Sequence, residues 1–214
     1  MHYLLDLIKL LTNPLDLLNN LGSLSLVTII TIVLIENGFI FGFFLPGDSL
    51  LFVAGMLCSD NKLLNGNVTL LILLIAFSAI LGNLIAYWIG SKSNLVLFKK
   101  YKLWILDRKY IDEANKFYKK YGGFALIIGR FLPVIRTFVP IIAGIVQLNY
   151  KTFVIYNIIG AFLWSISVVL SGYYLGNMPS IKENIEFMII LIVLCSSIPL
   201  IRILYKKSQN LSKK

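Results

Sequence analysis

Histidine is nearly absent from this chain: His2 is the only one in 214 residues, which leaves histidine-based lipid phosphatase chemistry and histidine-rich metal sites almost no material. Cysteine is equally scarce. Cys58 and Cys195 form neither a CxxC pair nor a ligand cluster, so no disulfide is required and neither a metal nor a cofactor is expected. Charge is thin, at 14% of residues, and lopsided, with 20 Lys and Arg against 10 Asp and Glu. A chain with so little charge, 58% hydrophobic residues and a mean hydropathy of +0.83 is too apolar for a soluble domain. An all-α polytopic membrane protein is the expectation.

Two runs free of Asp, Glu, Lys and Arg, Leu63 to Ser91 and Thr152 to Ile181, each exceed the ~20 residues needed to cross a bilayer core. The basic excess gathers in Lys92 to Lys120 and Arg202 to Lys214, beside the hydrophobic runs. The positive-inside rule accounts for both as cytoplasmic segments, so no nucleic-acid partner is expected. Residues 1–22 place Leu4, Leu7, Ile8, Leu11, Leu15 and Leu18 at helical spacing between polar residues; they read as an interfacial amphipathic segment or as a plain membrane entry. The start carries no convincing cleavage signal. A membrane domain is expected over 23–176, as a hairpin at 23–58, a span at 68–90, the basic segment at 92–120, a hairpin at 122–148 and a span at 151–176. A final span, Glu186 to Leu204, and a basic tail complete 177–214.

The hairpins are read from punctuation. Only 13 residues separate Gly22 from Glu36, and Gly38, Gly42, Pro46 and Gly47 follow, too early for a full crossing. A re-entrant hairpin fits, entering on Ser23 to Phe44, turning at Pro46-Gly47 and leaving on Asp48 to Leu57; non-helical backbone at membrane depth needs protein or a wet cavity over it. The layout recurs. Phe44-Leu45-Pro46 returns as Phe131-Leu132-Pro133, Ala54-Gly55 as Ala143-Gly144, and Ala86 to Gly90 loosely as Gly172 to Gly176. One crossing between the hairpins makes them enter from opposite sides, the inverted-repeat layout of many secondary transporters, with binding near the midplane.

Glu36 and Asp48 lie in the first hairpin, Arg130 and Arg136 in the second. At about 2.5–3.5 kcal/mol for each charge at a helix centre, four unpaired charges facing lipid cost on the order of 10 kcal/mol. They are expected to face inward and one another. Gly129 and Arg130 precede Pro133, and Arg136 and Pro140 follow it; the ring of Pro133 removes a donor and opens the helix between the two guanidiniums. Two planar forks beside freed backbone donors suit a phosphate. The plainer alternative is that both arginines only tie the hairpins together. Asp48 stands where a helix N-cap belongs, and Glu36 can serve as a salt-bridge partner; as candidate proton carriers, both gain because protonation costs less than an unpaired buried charge.

Glu36-Asn37-Gly38, Phe44-Leu45-Pro46-Gly47-Asp48-Ser49-Leu50-Leu51 and Ala54-Gly55, followed by Tyr121-Gly122-Gly123, Gly129-Arg130-Phe131-Leu132-Pro133-Val134-Ile135-Arg136-Thr137 and Ala143-Gly144, resemble the DedA family, also called VTT-domain or SNARE-associated Golgi proteins. The resemblance covers about residues 23 to 176. It implies a multi-pass protein of the bacterial cytoplasmic (inner) membrane with two re-entrant hairpins that translocates lipids, whose members include undecaprenyl-phosphate flippases and whose eukaryotic relatives are phospholipid scramblases. It places Glu36, Asp48, Arg130 and Arg136 on the family's functional acidic and basic positions. Phe43 stands where close relatives often have proline, and Asn83 where many have Asp after Gly82, so no charge acts there. The resulting expectation is a proton-coupled translocase of undecaprenyl phosphate or a related anionic lipid and not an enzyme. Arg130 and Arg136 hold the phosphate, and Glu36 and Asp48 carry protons. A proton-coupled exporter of small cations or drugs, a general scramblase supporting envelope integrity and a structural membrane factor are the alternatives. A homo-oligomer is compatible with the pattern.

Overall fold

The computed structural model of the chain describes residues 14–39, 42, 45, 47–92, 118, 122–131, 133–175 and 178. Expectations on residues 1–13, Phe43, Pro46, most of the basic segment 92–120 and the C-terminal span with its tail lie outside the described residues. Within them the regular structure is helical: α1 (Pro14–Leu21), α2 (Ser25–Gly38), α3 (Gly47–Ser59), α4 (Val68–Lys92), α5 (Phe124–Arg130), α6 (Pro133–Ile145) and α7 (Tyr150–Leu175). α4 and α7 are 25 and 26 residues long, about 38 Å at 1.5 Å per residue, enough to cross the ~30 Å hydrocarbon core. α2, α3 and α6, with 14, 13 and 13 residues, reach only about 20 Å.

Caps set where the long helices begin. Asn67 Oδ1 accepts the Leu70 N–H at 3.0 Å, and Asn149 Oδ1 accepts the N–H groups of Lys151 and Thr152 at 3.0 and 3.3 Å, each satisfying first-turn donors that have no partner within the helix. Outward faces are apolar: Phe77 and Trp88 on α4, and Ile155, Ile159 and Leu163 on α7, are exposed. Inward faces hold Ser78, Asn83, Asn157 and Ser165, all buried. Polar groups inside and large apolar groups outside are the arrangement of a protein solvated by lipid.

The helices cross in a repeated way. α2 lies against α4, and α5 against α7, so each first limb packs on the long helix that follows it; α3 instead lies against α7, and α6 against α4. Each of these exchanged crossings is made by a pair of glycines at backbone contact. A Cβ on Gly55 of α3 would run into the carbonyl of Val169 and the N–H of Tyr173, and one on Gly172 of α7 into the carbonyl of Phe52. A Cβ on Gly144 of α6 would likewise meet the carbonyl of Tyr87 and the N–H of Ser91, and one on Gly90 of α4 the carbonyl of Ile141. Both crossings thus use the same offsets along their helices, with hairpin glycines Gly55 and Gly144 matched and long-helix glycines Gly90 and Gly172 matched. Small residues at helix contacts in lipid allow this approach, where dispersion replaces the hydrophobic effect as the source of attraction.

Gly90 and Gly172 occupy matching positions at the two crossings; Gly176, which the sequence aligned with Gly90, lies outside the described residues. One expectation is corrected. The entering limb of the first hairpin ends at Gly38 rather than running to Phe44. Beyond it the backbone closes in successive turns, with Gly42 N–H donating to Phe39 O, Leu45 N–H to Gly42 O and Gly47 N–H to Leu45 O, each at 2.9 Å. The buried Gly42 folds back onto the backbone of Ile35 and Glu36, where a Cβ would collide, so the chain leaves the helix axis well before Pro46.

Candidate functional site

Four broken ends converge on the middle of α7. Glu36 and Asn37 sit in the last turn of α2, Asp48 in the first turn of α3, Arg130 ends α5 and Arg136 lies in the first turn of α6. Gly47 makes the first approach possible, because a side chain there would occupy the position of the Glu36 carboxylate. Gly129 does the same for the second pair, its missing Cβ leaving room for Val139 of α6. Between α5 and α6 the helix opens: Phe131 N–H turns back to Ile128 O at 3.2 Å, and Pro133, without an N–H to satisfy, starts α6. Pro140 is buried inside α6.

Arg136 takes both carboxylates. Its Nη1 donates to Asp48 Oδ1 at 2.6 Å and its Nη2 to Glu36 Oε1, with the side chains of Arg136 and Glu36 buried and that of Asp48 nearly so. A cation in the first turn of a helix opposes the helix dipole; two carboxylates at this point reverse that. Asp48 also accepts the indole N–H of Trp164 at 3.0 Å, so its carboxylate joins three elements. Glu36 Oε2 and Arg136 Nε have no hydrogen-bond partner among the described residues.

Arg130 lives differently. Its Nη1 donates to Asn157 Oδ1 at 3.0 Å and to the Asn157 carbonyl at 3.3 Å, and no carboxylate reaches it among the described residues. The Asn157 oxygen also accepts from Asn83 Nδ2 at 2.8 Å, while Asn157 Nδ2 donates to Ile80 O at 3.2 Å. Nε and Nη2 of Arg130 have no hydrogen-bond partner among the described residues. The four residues do face inward together, but the ion pairs reach only Arg136 among the described residues, and Arg130 is received by the side-chain and backbone carbonyl oxygens of Asn157.

Trp164 joins the two arginines. Its ring centroid lies 4.9 Å from the guanidinium carbon of Arg136 and 5.7 Å from that of Arg130, within cation–π range. Trp164 lies in mid-span and is buried, away from the interface belts where tryptophans of membrane helices gather. The signal available was its spacing: Asn157, Gly160 and Trp164 fall at i, i+3 and i+7, one polar and small stripe on an otherwise apolar helix. Tyr87, near the end of α4, also turns inward; its hydroxyl donates to Leu148 O at 2.7 Å and its ring stacks on Phe153 at 4.3 Å. Among the described residues no group of three or more His, Cys, Asp and Glu is arranged to hold a metal.

The family profile described as the VTT domain matches residues 28–174. Protein DedA of Escherichia coli (strain K12) is 39% identical over 170 residues, covering 78% of this chain and 76% of that protein. An uncharacterised membrane protein of Mycobacterium tuberculosis is 39% identical over 178 residues, covering 83% of this chain and 78% of the relative. The inner membrane protein YqjA of Escherichia coli (strain K12) is 33% identical over 173 residues, covering 79% and 73%. No solved structure matches the chain.

Proposed function

The chain belongs to the DedA family of VTT-domain membrane proteins, and from that premise we propose that it moves an anionic, phosphate-bearing lipid across the cytoplasmic membrane in a step coupled to protons, undecaprenyl phosphate being the first candidate. α2–α3 and α5–α6 act as re-entrant hairpins of opposite orientation. Their short limbs and the matched glycine crossings support this reading. With the basic segment 92–120 and the tail in the cytoplasm, the site falls near the bilayer midplane, where broken helix ends gather in such layouts.

The observation that carries the reading is the unequal pairing of the two arginines. Arg136 with Glu36 and Asp48 sums to one negative charge, and Arg130 balances it. A phosphate monoester brings about −1.5 to −2 at neutral pH. In a site closed from water that charge must be balanced, and about two protons balance it, one on each carboxylate. The same protonation releases both Nη groups of Arg136, so anion arrival and proton arrival become one event. The phosphate then bridges Arg130 and Arg136 through charge-assisted, paired hydrogen bonds.

Purified protein in liposomes, with a labelled monoester-phosphate lipid and an imposed pH gradient, tests this. Transport that follows the gradient, is lost in Arg130→Ala and loses its gradient dependence in Glu36→Gln with Asp48→Asn is the expected outcome. Equal handling of phosphodiester lipids would convert the reading to a general scramblase. Undiminished transport in both Arg130→Ala and Arg136→Ala would remove the phosphate site.

A further inference from the structure

Arg130 is held without a direct ion pair among the described residues. Its guanidinium is buried, 3% exposed, in a setting where an unpaired charge is expensive. The only side-chain acceptor it meets among the described residues is the Asn157 amide oxygen. That oxygen takes two donors, from Arg130 and from Asn83, while the amide nitrogen is engaged by Ile80 O; flipping the amide would set its N–H groups against the guanidinium, so the orientation is fixed. Gly160, one turn along α7, leaves the Arg130 stem in ordinary contact, a Cβ there lying 3.5 Å from Arg130 Cδ. The edge of the guanidinium that carries Nη1 is thus occupied. The opposite edge, Nε with Nη2, has no hydrogen-bond partner among the described residues, and those two N–H groups point in parallel, the fork that binds two oxygens of one phosphate.

We propose that Asn157 is a specificity-determining residue that positions Arg130 through a neutral acceptor, leaving its Nε and Nη2 edge and its full positive charge to a phosphate monoester headgroup. This rests on the lipid-phosphate reading of the site. A carboxylate at the same position would hold the guanidinium equally well and cancel the charge that attracts the anion. Asn83 donates to the same oxygen and keeps the amide in place.

The test reads binding directly. In protein carrying Trp88→Phe and Trp104→Phe, Trp164 is the only tryptophan and lies beside Arg130, so its fluorescence reports titration with dodecyl phosphate in detergent. Asn157→Asp keeps the Nη1 hydrogen bond, and Asn157→Ala removes it without adding charge. The expected order of affinity is wild type, then Asn157→Ala weaker by about threefold, then Asn157→Asp weaker by about tenfold or more. A purely structural role gives the reverse order of the two variants, because aspartate preserves the anchor, and that order would overturn the proposal. If Asn157→Asp does not fold, Asn157→Ser decides: recovery relative to Asn157→Ala supports a neutral acceptor, and equal affinity in wild type, Ala and Ser overturns it. Absence of dodecyl phosphate binding by the wild type defeats the phosphate reading itself, whereas wild-type binding with undiminished Asn157→Asp binding defeats only the role of Asn157.

Discussion

Arg136 and Arg130 stand on either side of one helix break and touch the same tryptophan ring, yet their surroundings are opposite. Arg136 is saturated by two carboxylates from the other hairpin. Arg130 is saturated on one edge by neutral amides and open on the other. A pair of arginines in a membrane protein therefore need not share one environment: one is tied to two carboxylates, and the other makes no ion pair among the described residues. The difference arises from which neighbour each break faces. The first turn of α6 meets the ends of α2 and α3, and the end of α5 meets the mid-span stripe of α7.

The largest effect should come from removing the lock. Arg136→Ala leaves two buried carboxylates without a cation, and breaking such a pair costs about 3–5 kcal/mol. Unfolding in detergent should show this loss, and adding Glu36→Gln and Asp48→Asn should recover most of it; failure to recover would mean that Arg136 stabilises by packing rather than charge. A smaller effect is expected at Trp164. Trp164→Phe keeps the aromatic face and loses the hydrogen bond to Asp48, worth about 1 kcal/mol, and Trp164→Leu adds the loss of two cation–π contacts at about 0.5–2 kcal/mol each. Equal stability of the Phe and Leu variants would show that the ring does not hold the guanidiniums. The smallest change in stability is expected for Arg130→Ala, because Arg130 forms no direct ion pair among the described residues and its removal also relieves the cost of burying a charge; complete loss of phosphate-lipid binding should accompany it. A loss as large as that of Arg136→Ala would erase the distinction between the two.

Much of this was legible in the chain because membrane constraints leave few readings. Charge-free runs of this length have to be spans, and the Gly129 to Pro140 stretch has to open because Pro133 cannot continue the helix of Arg130. The early end of α2 was not legible, since Phe39 to Phe44 is as apolar as the helix before it and the turns that close there are backbone hydrogen bonds. Asn157 and Trp164 were missed because each is a single residue inside a span, and their importance comes from what α5 and α3 bring to them. Asn83 was read as a lost charge; in the structure its neutrality keeps the Asn157 amide in place without competing for Arg130.

The central claim is that protons taken up by Glu36 and Asp48 release Arg136 to the phosphate, so that the two bind together, and proton uptake measured during binding tests it most directly. In weakly buffered detergent solution near pH 8, saturating the wild-type protein with dodecyl phosphate should draw about two protons per bound dianion from solution, and the Glu36→Gln, Asp48→Asn double variant should bind with none. Binding without proton uptake in the wild type, or the same uptake in the double variant, would contradict it.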